Sequence, residues 1–344
     1  MSLRQIAASI AMAGTMLGLC ATAHADSVSD FYKGKSVDLY VGYSVGGGYD
    51  VYGRLLARYL GKYIPGNPTV VPRNMEGAGS IRLTNWLYNV APKDGTAIAT
   101  VARGAAFDPL FGMPGGQFDA VKFNWIGSAN NEVSICMAWT TAGVKNFGDL
   151  LKSELVMGGS GGAADTDQFV YVINGVLGSK MKVIPGYPGG NEINLAIERG
   201  EVQGRCGWSW SSVKSTHPEW LRDKKMNVLV QLSLSKHEEL PDVPLILDLA
   251  RTPEDKQIFS LVFARNVMGR PFMAPPGVPA ERVAALRAAF VAALKDKDLL
   301  AEAAKADLEI NPVPGEEIQK IVEEAYKTAP AIVKRTADLL KGPN

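Results

Sequence analysis

Apolar residues recur along the chain with a period that changes several times from that of a strand to that of a helix. They stand at every second position from Val37 to Val41, which predicts a strand with one buried face. Three glycines follow, and an apolar stripe then recurs every three or four residues over 52–63, which predicts an amphipathic helix ending at Pro65. Strand, glycine-rich turn and helix together make the βα unit of a parallel α/β sheet.

The same unit returns three more times. Apolar segments at 69–71, 155–157 and 181–184 each lead into a glycine-rich loop and then into a helical pattern. Two units lie in the first third of the chain and two in the middle third, which favours two α/β lobes. Further strands are predicted at 97–102, 124–127, 134–139, 202–208 and 228–232, and further helical patterns at 280–294 and 314–340.

The N-terminus has the three-part layout of a secretory signal peptide. A basic residue precedes an apolar run at 6–20, and Ala23 and Ala25 give the small-x-small cleavage pattern. The alternative is a lipoprotein acylated at Cys20, but the residue before that cysteine should be small and is Leu19. The pattern therefore predicts export to the periplasm.

Removal of the signal peptide, residues 1–25, leaves a chain without net charge. The one charge lost is Arg4, from 36 basic and 35 acidic residues, so the formal net charge becomes zero. This balance argues against a nucleic-acid partner and against a membrane-surface partner. No later apolar run is long enough to span a bilayer. We expect a soluble monomer, and a chain of this length favours two cores over one.

Two cysteines, Cys136 and Cys206, remain after processing. In an oxidising compartment an even pair of cysteines indicates a disulfide, and two cysteines allow only one connectivity. The alternative is two buried free thiols, because cysteine packs as a small hydrophobic residue. We predict the disulfide.

Glycine-rich turns that open helices are candidate anion sites. The first turn of a helix presents unpaired N–H groups and the positive end of the helix dipole. Four such turns, at 42–48, 74–80, 158–162 and 186–191, point to a cleft between the two lobes. The first turn lacks both the lysine of a P-loop and the spacing of a dinucleotide motif, so we expect no nucleotide cofactor.

The turn at 158–162 also matches the G-x-S-x-G motif of a serine hydrolase, with Ser160 as the nucleophile. Such a site needs a histidine, and the mature chain offers only His217 and His237, both in stretches typical of the surface. A loop this rich in glycine matches the motif by composition alone, so the hydrolase is kept only as an alternative. Two histidines and no cysteine cluster also exclude the usual zinc site, and we expect no metal.

Several larger side chains are candidates for ligand contacts. Arg103 ends a predicted strand at the edge where open α/β sheets bind ligands, and a guanidinium suits a carboxylate; a surface salt bridge is the alternative. Tyr43 and Trp208 are candidates for the wall of a planar ligand or for core packing. Arg205 alternates with Cys206 along its strand, so the two side chains are expected on opposite faces.

Motifs along nearly the whole mature chain resemble the Bug-type extracytoplasmic receptors of tripartite tricarboxylate transporters. In the first part these motifs are Tyr43-Ser-Val-Gly-Gly-Gly-Tyr-Asp50 with Arg54, the segment 74–79 and the segment 94–96. Looser matches follow at 187–191, 200–202 and 274–279. The family's first loop commonly begins with Pro-Phe, whereas this chain has Gly42-Tyr43, so a different acid is expected. The cysteine pair also lies outside the common pattern, which suggests a distinct subgroup.

The resemblance implies an α/β, two-lobe type II periplasmic-binding-protein fold. Each lobe would be a mostly parallel sheet flanked by helices, hinged by crossover strands, with domain 1 at 26–135 plus 262–344 and domain 2 at 136–261. Backbone N–H groups and bridging waters would hold a ligand carboxylate. Carried over by residue, the first-domain contacts are Gly46, Gly47, Gly48, Asp50, Gly77, Ala78 and Gly79, and the second-domain contacts are Ser160, Gly161, Thr166, Gly189 and Asn191.

We therefore expect a periplasmic solute-binding receptor that acts without a cofactor and is not an enzyme. It would close two lobes around a small organic carboxylate and deliver it to integral membrane transporter subunits. A sensor-type receptor of the same fold is an alternative that the sequence does not separate from a transport receptor.

Overall fold

The structure is a computed structural model that describes residues 23–342. Residues 1–22 of the signal peptide that is predicted at 1–25 lie outside the described residues. Among the helices of residues 23–342, none is both long enough and apolar enough to cross a membrane.

In the described residues, eleven strands form two separate sheets, one for each lobe. The strands are β1 (Ser36–Val41), β2 (Thr69–Asn74), β3 (Ala97–Thr100), β4 (Asn124–Ser128), β5 (Ser134–Trp139), β6 (Leu155–Gly158), β7 (Met181–Ile184), β8 (Gly204–Ser209), β9 (Met226–Leu232), β10 (Pro271–Ala274) and β11 (Val313–Pro314). Every strand predicted from the sequence is therefore confirmed.

Helices flank both sheets. In the described residues they are α1 (Ala23–Tyr32), α2 (Gly48–Leu60), α3 (Ile81–Asn89), α4 (Phe147–Leu150), α5 (Asp165–Leu177), α6 (Gly190–Glu198), α7 (Trp210–Thr216), α8 (Pro218–Arg222), α9 (Pro253–Phe263), α10 (Ala280–Ala293), α11 (Lys297–Lys305), α12 (Gly315–Ala325) and α13 (Pro330–Leu340).

Both sheets are mixed, and the two-lobe α/β fold is confirmed. The first-lobe sheet has the order β11-β4-β10-β3-β1-β2, with β1 parallel to β2 and β3. The second-lobe sheet has the order β7-β6-β8-β5-β9, with β6 parallel to β7 and β8. The antiparallel strands β5 and β10 directly follow the two crossings between lobes, at 129–133 and 264–270. The sequence predicts a mostly parallel sheet in each lobe, and the crossings explain why β5 and β10 are antiparallel to their neighbours.

Local periodicity explains the first βα unit. Val37, Leu39 and Val41 on β1 are fully buried. In α2 the apolar stripe places Leu56 and Leu60 against that sheet and against α10 and α11. Full burial of one such leucine contributes about 1.5–3 kcal/mol to folding. The first lobe thus has its core directly behind the loop that joins β1 to α2.

The C-terminal helical pattern predicted over 314–340 is two helices, α12 and α13. Pro330 has no N–H to continue a helix and instead occupies the first turn of α13. Helix α13 packs on α5 and α9 of the second lobe, and its Arg335 Nη1 lies 2.5 Å from the Glu254 carboxylate. The C-terminal helix, which the resemblance assigned to domain 1, is therefore placed on the second lobe by these contacts.

The predicted disulfide is confirmed. Cys136 on β5 and Cys206 on β8 are bonded, and both are fully buried between adjacent strands of the second sheet. The bond closes a loop of 70 residues at the junction of the parallel and antiparallel halves of that sheet.

Candidate functional site

A cavity of about 60 Å³ lies in the cleft between the lobes. On the first-lobe side it is lined by the loop that leads from β1 into α2, and on the second-lobe side by residues that follow β6, residues of β8 and the start of α6. Carboxyl ends of parallel strands and helix N-termini therefore converge on one space. This is where open α/β sheets bind ligands.

The first-lobe loop is fixed by Asp50. Its carboxylate accepts hydrogen bonds from the Gly46 N–H (2.8 Å), from Arg54 Nε (2.8 Å) and from Asn74 Nδ2 (2.8 Å). Asp50 is 1% exposed, and these donors hold its pKa below the usual value against the opposing effect of burial. Asp50 thus shapes the loop from behind, while Gly47 and Gly48 face the cavity.

The second first-lobe loop has an unusual backbone. Gly77, Ala78, Gly79 and Ser80 have consecutive φ values of 138°, 48°, 63° and 76°. Positive φ costs about 1–3 kcal/mol at a residue with a side chain, so the surrounding packing must hold Ala78 and Ser80 in place.

The second-lobe loop uses its N–H groups internally. Thr166 Oγ1 accepts a hydrogen bond from the Ser160 N–H (3.0 Å), and the Asp167 carboxylate accepts one from the Gly161 N–H (3.1 Å). Burial raises the pKa of Asp167, although its hydrogen bonds oppose this effect. Ser160 and Thr166 line the cavity, and the N–H groups of Ser160 and Gly161 are already bonded within the lobe.

Direct hydrogen bonds join the lobes beside the cavity. Asn191 Nδ2 donates to the Val45 carbonyl oxygen (3.1 Å), and Ser44 Oγ donates to the Glu192 carboxylate (2.8 Å). Asn191 is thus a contact between the lobes as well as a residue of the cavity wall. The arrangement is a closed cleft.

Arg103 is a larger interlobe contact. Its guanidinium, which comes from the end of β3 in the first lobe, donates to Asp165, to Ser134 Oγ (2.7 Å) and to the Gly207 carbonyl oxygen (3.3 Å), all in the second lobe. Asp165 also pairs with Arg265 Nη1 at 3.3 Å. The Arg103 side chain is buried, and it inserts into the second lobe instead of lining the cavity.

A buried carboxyl group lies next to this ion pair. Asp108 Oδ1 accepts a hydrogen bond from Gln168 Nε2 (3.0 Å), whereas its Oδ2 has no hydrogen-bond partner among the described residues. Burial raises the pKa of Asp108 to about 7, despite the opposing charge of Arg265. The interlobe contact therefore includes a group that titrates near neutral pH.

Aromatic rings form part of the cavity wall. Tyr43 and Tyr49 stack with their ring centroids 4.8 Å apart, and Trp208 faces them from the second lobe. Burial raises the pKa of both tyrosines, so their hydroxyl groups stay protonated and can donate hydrogen bonds.

The structure brings together about half of the predicted ligand contacts. The cavity is lined by Tyr43, Gly47, Gly48, Ser160, Thr166, Asn191 and Trp208. An adjoining crevice, which shares Ser160, is lined by Gly77, Ala78 and Gly161. The remaining predicted contacts line neither the cavity nor the crevice; they are Gly46, Asp50, Gly79, Arg103 and Gly189.

Several polar side chains of the cavity wall are not among the contacts predicted from the sequence. Three of them are Asn194, Arg205 and Arg270. Alternation along β8 was the one available signal, since Cys206 lies in the core and Arg205 faces the cleft, as expected for adjacent strand residues.

The arrangement around Ser160 does not resemble a hydrolase site. Ser160 Oγ hydrogen bonds to Thr166 Oγ1 (3.1 Å), and no histidine bonds to it within residues 28–342. His217 instead hydrogen bonds to Glu219 (3.0 Å) and packs on the Trp220 ring, 4.5 Å between centroids. The nucleophile lacks its general base.

One cluster outside the cleft has the donor atoms of a metal site. His237, Glu239 and Glu309 lie close together, but Lys214 Nζ stands 2.8 Å and 2.7 Å from the two carboxylates. The lysine ammonium therefore already supplies the positive charge that a metal ion would supply.

Two lobes that meet over a cavity at the ends of their strands form an architecture that two-lobe solute-binding proteins share. No family model matches the chain. A Cupriavidus necator protein described as "UPF0065 protein in gbd 5'region" is 25% identical over 345 residues, covering 95% of each chain.

Solved structures share the fold. The periplasmic binding protein BugD superposes with a TM-score of 0.69 at 21% identity, covering 90% of this chain and 98% of that one. MatC from Rhodopseudomonas palustris with bound malate superposes with a TM-score of 0.68 at 18% identity, covering 89% and 99%. The resemblance to Bug-type solute-binding proteins is thus confirmed.

Proposed function

We propose that this protein is a periplasmic receptor that captures a small organic carboxylate in the interlobe cavity. The observation that carries the proposal is the composition of the cavity wall. It combines helix N-termini from both lobes with two guanidinium groups, Arg205 and Arg270, and its one carboxylate, Asp165, is already paired with Arg103. Such a surface favours an anion. The malate bound in the MatC structure gives independent support for a carboxylate ligand.

The mechanism is a hinged clamp. A ligand would first bind one lobe, and rotation about the crossings at 129–133 and 264–270 would bring the other lobe onto it. The bonds from Asn191 to Val45 and from Ser44 to Glu192 form only when the lobes meet. The ligand favours closure because it contacts both lobes only in the closed state.

Delivery to integral membrane transporter subunits completes the proposal. It rests on the resemblance to Bug-type receptors and on the signal peptide that the N-terminal sequence predicts. The closed state presents a different outer surface from the open state, so a transporter can distinguish the loaded receptor from the empty one. We propose that the receptor acts as a monomer and without a cofactor.

Thermal unfolding with a panel of acids tests the proposal. The mature protein, residues 26–344, is unfolded and refolded to remove carried-over ligand, and is then heated with mono-, di- and tricarboxylates. A ligand at a hundred times its dissociation constant stabilises the protein by about 2.7 kcal/mol. We expect one class of acid to raise the unfolding midpoint.

The matching primary amides are the control, because they keep the shape of each acid and remove its charge. A midpoint that rises with an acid and stays constant with its amide supports the proposal. Equal midpoints with every acid, every amide and buffer alone would contradict it.

A further inference from the structure

Arg205 is a buried cation on the wall of the cavity. It is 6% exposed. Its Nη1 donates to the Gly190 carbonyl oxygen (3.0 Å) and to Asn194 Oδ1 (2.9 Å), and its guanidinium lies over the Trp208 ring, 4.7 Å from the centroid. These contacts hold the guanidinium in one orientation beside the cavity.

None of these contacts neutralises the charge. Within residues 28–342, no carboxylate forms an ion pair with Arg205, and its Nε has no hydrogen-bond partner. Burial lowers the pKa of the guanidinium to about 9, so it stays charged at neutral pH. An uncompensated charge in a buried site is strongly unfavourable, which makes an external counter-ion favourable.

The other charged residues of the cavity wall have partners. Asp165 pairs with Arg103 and Arg265. Arg270 Nη2 lies 3.5 Å from the Glu132 carboxylate, and both of these side chains are buried. Among the described residues that line the cavity, Arg205 is therefore the charged side chain that has no oppositely charged partner.

We propose that Arg205 binds the ligand carboxylate directly, as its counter-ion, and that the preferred ligand is an acid with one negative charge. This inference rests on the proposed function and narrows its substrate class. One ligand carboxylate on Arg205 compensates this charge. A second carboxylate on the ligand would have no uncompensated partner, because Glu132 already neutralises Arg270.

The test compares Arg205→Gln, Arg205→Lys and the wild type, with Arg199→Gln as a matched control. Arg199 lies on the same lobe with its side chain 69% exposed. Dissociation constants are measured by calorimetry for two sets of probes: propanoate, succinate and propanamide, and benzoate, phthalate and benzamide. Each set holds an acid, a diacid and a neutral amide.

We expect the wild type to bind the monoacid of at least one set more tightly than its diacid, and to bind its amide weakly or not at all. Arg205→Gln should weaken binding of that monoacid about a hundredfold or more, since truncating one partner of a buried charge pair has an effect of that size. Arg205→Lys keeps the charge but loses the two parallel donors of the guanidinium. Its affinity for the monoacid should therefore lie between those of the wild type and Arg205→Gln. Arg199→Gln should bind as the wild type does.

A merely structural arginine would lower affinity for acid and amide alike, so the ratio of the two affinities is the decisive quantity. The inference is overturned if Arg205→Gln keeps the wild-type ratio, or if the diacids bind the wild type more tightly than the monoacids. If Arg205→Gln does not fold, as judged by circular dichroism, the ratio measured for Arg205→Lys decides, and an unchanged ratio overturns the inference. Failure of the wild type to bind any acid would overturn the proposed function itself, and this inference with it.

Discussion

Removal of the Arg103 guanidinium should weaken ligand binding far more than it weakens folding. All side-chain hydrogen bonds of Arg103 run from the first lobe into the second, to Asp165, Ser134, Ser209 and Gly207. In an open cleft these groups would face water, and they could be hydrated separately. The free energy of the contact therefore belongs to lobe closure rather than to the fold of either lobe.

The size of the effect follows from burial. Arg103 is 1% exposed and Asp165 is 7% exposed. Breaking a buried ion pair by removing one partner costs about 3–5 kcal/mol, because the remaining charge stays uncompensated. If this free energy is lost from lobe closure, the dissociation constant of the ligand from Arg103→Gln should be higher than that of the wild type by about two to three and a half powers of ten. The remaining Arg265–Asp165 pair places the expected value at the lower end.

The assay combines two measurements on the same variant. Calorimetric titration with an acid that binds the wild type gives the dissociation constant, and urea unfolding without ligand gives the free energy of unfolding. The control is Arg73→Gln, since Arg73 forms an exposed pair with Asp38 on the same lobe and such pairs contribute only about 0–1 kcal/mol. A wild-type dissociation constant for Arg103→Gln would contradict this prediction. A loss of unfolding free energy equal to the loss of binding free energy would also contradict it.

Two further predictions concern stability. Replacement of both Cys136 and Cys206 by alanine should lower the free energy of unfolding by about 2–4 kcal/mol, because the bond closes a loop of 70 residues, and urea unfolding that matches the wild type would contradict this. The pKa of Asp108 is raised by burial to about 7, so its contribution to stability is greatest at low pH and is lost as the pH rises from about 4 towards 7. Asp108→Asn, which keeps the oxygen that Gln168 Nε2 donates to, should therefore raise the unfolding midpoint at pH 8 relative to the wild type and change it little at pH 4. Midpoint differences that are equal at both pH values would contradict it.

Local sequence signals predicted the elements of this fold well. The alternation at β1, the apolar stripe of α2 and the four glycine-rich turns each reflect a short-range rule, and each lies where it was expected. The disulfide was also predictable, because the sequence predicts export and the two cysteines left after processing have one possible pairing. The apolar pattern over 314–340 did not predict the break between α12 and α13, which Pro330 explains because it has no N–H to continue a helix.

Partners across the cleft were not predictable in the same way. Arg103 follows a strand, and Arg205 lies within one. Nothing in the neighbouring sequence distinguishes the guanidinium that pairs with Asp165 from the one that pairs with no carboxylate. The partners of Arg103 lie 31 or more residues further along the chain, and only the packing of the lobes brings them near. The partners of Arg205, Gly190 and Asn194, are 15 and 11 residues away and are brought near by the packing of the second lobe. The same holds for Asp50, whose carboxylate holds the loop from behind through Asn74, 24 residues further on.

The most direct test of the account is calorimetric titration of the refolded mature protein with the acid that most raises its unfolding midpoint, followed by the same titration with the amide of that acid. We predict a saturable signal for the acid at one site per chain and at least a hundredfold weaker binding for the amide. Equal affinities for acid and amide, or no binding of any acid in the panel, would contradict the claim that the cleft is built to hold a carboxylate.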